Sequence, residues 1–168
     1  DTAGNPYAGI GDPTSIWPSP DPPLNFTIAD TTAPQLLSTT PVVDATGVVI
    51  GTNITLTFSE DVYATAGSVA IHRVADGFTA ETISGTSSQV TIDGTTVTIN
   101  PAGVLDSGTD YFVRIDNGTF EDIAGNPYAG FGDPTALNFN IADTTAPQLL
   151  STTPVDDATG AVISTNIT

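Results

Sequence analysis

The chain has 168 residues, of which 19 are acidic and only two are basic, so its formal net charge is −17. This balance excludes nucleic acid and anionic membrane surfaces as partners, because both attract proteins through clustered cations. The chain has no cysteine, and therefore neither a disulfide framework nor thiolate chemistry. It also lacks an apolar run of the roughly 18 residues that a membrane-spanning helix needs.

Long segments of the chain occur twice. Residues 24–55 recur 113 positions later as residues 137–168, with changes at four positions. Residues 1–14 are similarly matched by residues 122–135, and a Pro-rich insertion in the first copy, residues 15–22, accounts for the larger offset of this second pair. Repeats of this length indicate an array of similar modules. Because a catalytic site needs to be built only once, repetition of the module favours a structural function.

The repeat predicts three parts of the chain. They are the tail of a preceding module (residues 1–29), a complete module (residues 30–142) and the head of a following module (residues 143–168). Neither the tail nor the head has enough apolar surface to offset its chain entropy as an independent domain. Because the chain contains no Met and both ends fall within modules, we expect a processed or excised segment that continues as a covalent chain or through neighbouring subunits.

The first half of the complete module begins with a predicted strand at residues 35–40. Residues 42–52 are predicted to be a connection, because Asp44 to Gly47 have turn chemistry. Residues 53–58 alternate between apolar and other side chains, which is typical of a strand with one buried face. The residues predicted to face inward are Ile54, Leu56 and Phe58.

Six more strands are predicted in the second half of the module. They are residues 68–74, 79–83, 90–92, 97–99, 110–116 and 137–141. Asp93-Gly94 is typical of a two-residue hairpin turn. Residues 79–83 and 90–92 are either two strands or one strand that switches sheets. Because seven or eight short strands occur without a convincing helix, the sequence predicts an antiparallel β-sandwich. Its last two strands are predicted to turn Tyr111, Val113, Ile115, Leu137, Phe139 and Ile141 inward.

Four ordered segments of the module carry a resemblance to a known family. They read STTPVVDATGVV, NITLTFSEDV, TVTINPAGVLDSGTDYFVRI and FEDIAGNPYAG. Together they resemble the bacterial Ig-like module that occurs in tandem in surface-layer proteins and large bacterial adhesins, over the whole of residues 30–142. The resemblance implies an all-β, Ig-like sandwich repeated in tandem, on a bacterial cell surface or in an extracellular fibre, without catalysis.

Acidic residues near strand ends predict a metal site where two modules join. In an Ig-like sandwich the second and the penultimate strands end at the pole where the chain enters. Ca²⁺ takes six to eight oxygen ligands, and a bound ion would stiffen the array. The predicted ligands are Asp30, Glu60, Asp61, Asp116, Glu121 and Asp122. The alternative is a set of solvated loop acids, and if residues 79–83 and 90–92 are two strands, Asp116 moves to the other pole.

No motif for catalysis is found in the sequence. The single histidine, His72, lies in a predicted strand with no second histidine or cysteine to complete a metal or nucleophile site. The glycines of residues 124–132 are explained by turn geometry, and no phosphate-binding loop is present. The carboxylate pairs Glu60-Asp61 and Glu121-Asp122 have no predicted cleft that would tune their pKa. We therefore expect no enzymatic activity.

The sequence thus predicts a structural module of a long extracellular filament or adhesin fibre, at the cell surface or in a biofilm. Its partners would be copies of itself, joined head to tail along one chain or by donor-strand complementation between subunits. The residues predicted to contact such neighbours are Leu24, Phe26, Ile28, Leu149, Leu150, Ile163 and Ile167. The alternative is a ligand-binding adhesin module that recognises a glycan or a host surface protein through the loop at residues 117–135.

Overall fold

The computed structural model describes residues 26–103, 105–153 and 159. The chain divides into two compact units, residues 1–31 and 32–168. In the first unit, the described residues 26–31 form no regular secondary structure. In the second unit, the described residues form eleven strands and no helix, which confirms the all-β prediction. Among the described residues there is accordingly no helix that is long and apolar enough to cross a membrane.

All eight strands predicted from the sequence are present, and three short strands were not predicted. The eight are β1 (Leu36–Thr40), β3 (Ile54–Phe58), β5 (Ser68–Arg73), β6 (Thr79–Ser84), β7 (Val90–Asp93), β8 (Thr96–Ile99), β9 (Asp110–Ile115) and β11 (Asn138–Ile141). The unpredicted strands are β2 (Ala45–Val48), β4 (Tyr63–Ala64) and β10 (Phe120–Glu121). Strands β4 and β10 have two residues each, too few for an alternating pattern to be recognised, and β2 lies in a segment with turn residues.

The strands form two main sheets and a small one. One sheet has the order β1-β3-β8-β7, the second has the order β2-β11-β9-β5-β6, and β10 pairs with β4. All pairs are antiparallel except β2 with β11, which are parallel. Strands β6 and β7 belong to different sheets and are separated by a turn at residues 85–89, so the segments at residues 79–83 and 90–92 are two strands.

The prediction that residues 42–52 are only a connection was wrong. Within this segment β2 pairs with β11, with Ala45 opposite Phe139 and Val48 opposite Ile141. The turn chemistry is also real, since Asp44 has a left-handed backbone with φ of 60°. A turn therefore moves the chain from the β1 sheet to the edge of the other sheet, where only four residues pair.

The core lies between the two main sheets and consists of the predicted inward faces. From β3, Ile54, Leu56 and Phe58 are at most 1% exposed. The predicted inward residues of β9 and β11, and Leu137 before β11, are also buried. At the edge of this core the Tyr111 hydroxyl accepts a hydrogen bond of 2.9 Å from the backbone N–H of Asp106, which ties the connection before β9 to the strand itself.

The chain enters and leaves the second unit at opposite ends. We call the end where β1 begins the N-terminal pole and the end where β11 finishes the C-terminal pole. Leu36 pairs with Phe58, so β3 finishes at the N-terminal pole. Strand β11 runs antiparallel to β9, with Asn140 opposite Asp110, so it finishes where β9 starts. Strand β9 leads toward β10, whose Phe120 packs against Phe58, and therefore runs toward the N-terminal pole.

Candidate functional site

Two acidic residues that were predicted to meet at the N-terminal pole lie close together. Glu60 follows β3 and Asp122 follows β10, and carboxylate oxygens of the two lie within 4.8 Å of each other. Asp122 is only 3% exposed, whereas Glu60 is half-buried. Gln35 and Ser59 bring the start of β1 to this pole through two hydrogen bonds of 2.9 and 3.0 Å. The two acids therefore lie beside the point where the chain enters the module.

Asp122 is held by the turn that follows it. Its Oδ1 accepts a 2.8 Å hydrogen bond from the Asn126 backbone N–H, and its Oδ2 accepts a 2.7 Å bond from the Asn126 side-chain amide. Burial alone would raise the pKa of Asp122, but these bonds and further donation from the Ala124 and Gly125 N–H groups lower it below its usual value. The arrangement therefore favours the charged form of a nearly inaccessible carboxylate.

The other predicted ligands have separate surroundings. Asp61 lies beside the β7–β8 turn, where its Oδ1 would be 3.1 Å from a Cβ added to Gly94. Asp116 Oδ2 accepts a 2.5 Å hydrogen bond from the Ser68 hydroxyl, so it lies near the predicted pole despite the two separate strands β6 and β7. Glu121 pairs with Tyr63 in the small sheet. In the described part of the chain these three acids do not join the Glu60–Asp122 pair.

The remaining predicted ligand, Asp30, belongs to the first unit, and its part in a metal site stays a prediction. Of the residues predicted to contact neighbouring copies, Leu24, Ile163 and Ile167 lie outside the described residues. The other four are highly exposed apolar side chains: Phe26 (82%), Ile28 (84%), Leu149 (81%) and Leu150 (93%). Their neighbours in an assembled fibre also stay predictions.

The loop that was considered for ligand binding is packed against the module. Tyr128 is 7% exposed, and its ring meets that of Phe58 edge-on, with 5.1 Å between the centroids. Phe131 forms a backbone bridge with Ile115 and packs against the core. These two aromatic side chains anchor the loop and leave little ring surface for stacking on a sugar.

His72 is engaged in contacts within the five-stranded sheet. Its ring stacks on Phe112 with 5.0 Å between the centroids, and its Nδ1 lies 3.1 Å from the Thr79 hydroxyl. The neighbouring Arg73 forms ion pairs with Asp76 at 2.9 Å and with Asp106 at 3.4 Å. These contacts support the ends of β5 and β6.

One contact at the C-terminal pole was not predicted at all. The Ser107 hydroxyl, between β8 and β9, accepts a 2.8 Å hydrogen bond from the backbone N–H of Thr144, which follows β11. No local pattern indicates this contact, because a serine in a turn is ordinary and its partner is 37 residues away. The two poles thus have different chemistry, with a carboxylate pair at one and a hydroxyl-centred contact at the other.

Comparisons with known proteins give the following matches. Residues 30–140 match the family of bacterial Ig-like domains. Among solved structures, the crystal structure of CopC from Methylosinus trichosporium OB3b is similar, with 11% sequence identity and a TM-score of 0.47. That match covers 68% of this chain and 99% of CopC. No curated protein matches the chain.

Proposed function

Because the chain belongs to the family of bacterial Ig-like domains, we propose that residues 30–142 form a non-catalytic structural module of an extracellular filament or adhesin fibre. Domains of this family occur in bacterial surface proteins. The proposal is that each module is a spacer in a linear array at the cell surface or in a biofilm. Its partners are other copies of the module.

The observation that carries this proposal is the exposure of the repeated segments. Phe26 and Ile28 correspond in the repeat to Phe139 and Ile141, which are only 4% and 1% exposed within β11. The same pair of residue types, Phe and Ile two positions apart, is therefore buried in a sheet in one copy and exposed in the other. Exposed residues of this type are expected to be covered by a neighbour, since their burial is favourable by about 1.5–3 kcal/mol each.

The opposite positions of the two poles also support a linear array. If a module were entered and left at the same end, successive modules would fold back beside each other. In the second unit the chain enters beside the end of β3 and leaves beside the start of β9. Successive modules of this kind would extend in one direction, as a fibre requires.

Two arrangements of the array are proposed as alternatives. In a tandem chain, the segment around Phe26 closes the preceding module of the same polypeptide, and the segment around Leu149 opens the next one. In a subunit polymer, these segments exchange with those of neighbouring chains by donor-strand complementation. Mass spectrometry of the natural polypeptide under denaturing conditions distinguishes them. A mass near 17.1 kDa supports subunits, and a mass of many modules supports the tandem chain. A single-module polypeptide that stays monomeric would contradict both.

A structural function is also favoured over ligand binding by the loop at residues 117–135. A glycan site of the usual kind needs an exposed aromatic face beside hydrogen-bonding groups. In this loop Tyr128 and Phe131 contribute to packing instead. We therefore propose no second function for the loop.

We further propose that Glu60 and Asp122 take part in binding Ca²⁺ at the N-terminal pole. Two carboxylates within 4.8 Å repel each other less when a cation lies between them. Ca²⁺ would take its remaining ligands from backbone carbonyl groups and water. The expected affinity is that of extracellular modules, with Kd about 10⁻⁴–10⁻³ M.

Thermal melts in CaCl₂ and in NaCl of equal ionic strength test this second proposal. We expect a higher midpoint in CaCl₂, because a ligand that binds only the folded state stabilises it. Glu60→Gln is expected to abolish the difference, and Glu121→Gln, which removes the same charge from β10, is expected to keep it. Equal midpoints in the two salts would refute the cation site and leave the structural function untouched.

A further inference from the structure

The chain stays attached to the second unit after β11 has ended. The backbone N–H of Ala142 donates to the Val48 carbonyl at 2.9 Å. The Ala142 carbonyl accepts hydrogen bonds from the Gly108 N–H at 3.4 Å and from the Ser107 hydroxyl at 3.3 Å. The first residue beyond the sheet is therefore held by both β2 and the connection between β8 and β9.

Ser107 continues this attachment over the next two residues. Its hydroxyl accepts the 2.8 Å bond from the Thr144 N–H and lies 3.3 Å from both the Thr144 hydroxyl and Asp143 Oδ1. Asp143 in turn accepts a 2.8 Å hydrogen bond from the Thr145 N–H. The Ser107 hydroxyl thus contacts three consecutive residues, Ala142 to Thr144. The bond between Asp143 and Thr145 extends the held segment by one residue.

The turn at Gly108 depends on its backbone conformation. Gly108 has φ of 64°, a left-handed conformation that L side chains rarely adopt. A Cβ at this position would meet the Asp143 Cβ at 3.5 Å, an ordinary van der Waals distance, so the glycine is required for its backbone angle and not for space. The backbone and side-chain hydrogen bonds from Thr145, with a smaller contribution from the Ser107 hydroxyl, also lower the pKa of Asp143, which favours its charged, strongly accepting form.

The attached segment is the same sequence that opens the complete module. Residues 143–155 repeat residues 30–42 without a single change, and both begin with DTTAP. All four differences between the two long copies fall outside this stretch. The residues held by Ser107 are therefore those that would lead into the first strand of a following module.

From these contacts we infer that the connection between β8 and β9, residues 106–109, is the docking surface for the linker that leads to the next module, with Ser107 as its central contact. This inference rests on the proposed array. Residues 142–145 are held by these contacts. Only residues 146–148 then remain before Leu149, which corresponds in the repeat to Leu36, the first residue of β1. Pro147 has a fixed φ and restricts the residue before it, so few backbone angles remain free. The joint therefore sets the direction of the following module instead of acting as a flexible tether.

Distance measurements between two spin labels test the joint on the full chain. Because the chain has no cysteine, labels can be attached at Thr91→Cys in β7 and at Ala146→Cys directly after the held residues, both at exposed positions. With Ser107 present we expect a narrow distance distribution. Ser107→Ala frees residues 143–145 and is expected to widen the distribution by on the order of 10 Å, the spread of a flexible chain of three residues.

Two controls make the result specific. Ser84→Ala removes an exposed serine hydroxyl from β6 and is expected to leave the distribution narrow. Ser107→Thr keeps a hydroxyl at the docking surface and is expected to give a narrow distance distribution, as Ser107 does. Equal widths with Ser107 and with Ala at position 107 would overturn the inference, as would a broad distribution with Ser107 present. Either result would leave the array itself to be judged by the mass of the natural polypeptide.

Discussion

At the scale of single residues, Asp122 keeps a carboxylate nearly out of solvent by surrounding it with donors. Asn126 supplies two of these donors and the following backbone supplies the rest. Loop residues usually remain solvated, whereas this one fixes a turn within the 117–135 loop. The proposed cation site depends on this rigidity, because a ligand that is already ordered loses less entropy on binding.

The lowered pKa of Asp122 predicts a specific loss of stability in acid. The folded state prefers the charged form, so the contribution of Asp122 is complete above its usual pKa of 3.8 and is lost as the pH falls through its lower folded pKa. We expect Asp122→Asn to be less stable than the parent protein at pH 6 and to lose less stability on acidification below pH 4. Urea unfolding across this pH range measures the difference. Glu121→Gln controls for the change in net charge. Parallel pH profiles of stability for Asp122→Asn and the parent would contradict a lowered pKa of Asp122 in the folded state.

Two glycines of the same loop provide a matched steric comparison. Gly130 and Gly125 both have positive φ, 69° and 87°. A Cβ at Gly130 would lie 2.8 Å from the carbonyl carbon of Asp116 and closer still to the Ile115 carbonyl oxygen, whereas a Cβ at Gly125 would meet nothing within 4 Å. Gly125→Ala should cost about 1 kcal/mol, from backbone strain alone. Gly130→Ala should cost about 1–3 kcal/mol more, because backbone must move. Urea unfolding measures both, and equal costs would show that the loop adapts freely.

At the scale of elements, strand β11 and residues 26–28 show that nearly the same short sequence has two environments in the same chain. The pattern of alternating apolar residues is nearly identical in the two segments. In β11 it is satisfied by β9 on one side and β2 on the other. Phe26 and Ile28 remain exposed. The environment of such a strand is therefore set by the module around it and not by its own sequence.

This contrast predicts that the same substitution, Phe to Ala, has a large effect on stability in one copy and almost none in the other. Phe139→Ala removes a buried ring that packs beside Tyr111, with 6.4 Å between the ring centroids, and should reduce the free energy of unfolding by about 3–5 kcal/mol. Phe26→Ala removes an 82% exposed ring and should change it by no more than about 0.5 kcal/mol in the isolated chain. Chemical denaturation followed by circular dichroism compares them. A large effect of Phe26→Ala would mean that its segment already contributes to a folded sheet.

The elements also explain what the sequence does and does not reveal. Strand β3 was predictable because Ile54, Leu56 and Phe58 alternate with threonines over a fully paired strand. Strand β2 was missed because its four residues directly follow Asp44 and include Gly47, both of which are typical turn residues. Asp44 does adopt a left-handed turn conformation, but pairing with β11 begins immediately after it. Glu60 and Asp122 were predicted from strand directions. Ser107 was not, because its role depends on a contact across 37 residues that no local pattern encodes.

At the scale of the whole molecule, the excess of acidic residues determines the electrostatic repulsion within the proposed array. The chain has nineteen acidic residues and only two arginines, one of which, Arg73, forms ion pairs with Asp76 and Asp106. Most of the negative charge is therefore balanced by solvent ions. Mutual repulsion keeps such an array soluble and favours extension over lateral collapse. The proposed joints would have to hold their direction against this repulsion, and hydrogen bonds such as those of Ser107 need no opposite charges to do so.

The same balance predicts that simple salt stabilises the protein. The range of charge interactions shrinks from about 30 Å at 0.01 M to about 3 Å at 1 M ionic strength, so repulsion between distant carboxylates is lost while buried contacts are nearly unaffected. We expect the urea midpoint of the parent chain to rise from 0.01 M toward about 0.3 M NaCl, by screening alone, with an unchanged slope of the unfolding curve. Glu121→Gln, with one charge fewer, should start from a higher midpoint and gain less. A midpoint that falls with NaCl would mean that attractive pairs outweigh repulsion, and the extended, self-repelling array would lose its electrostatic basis.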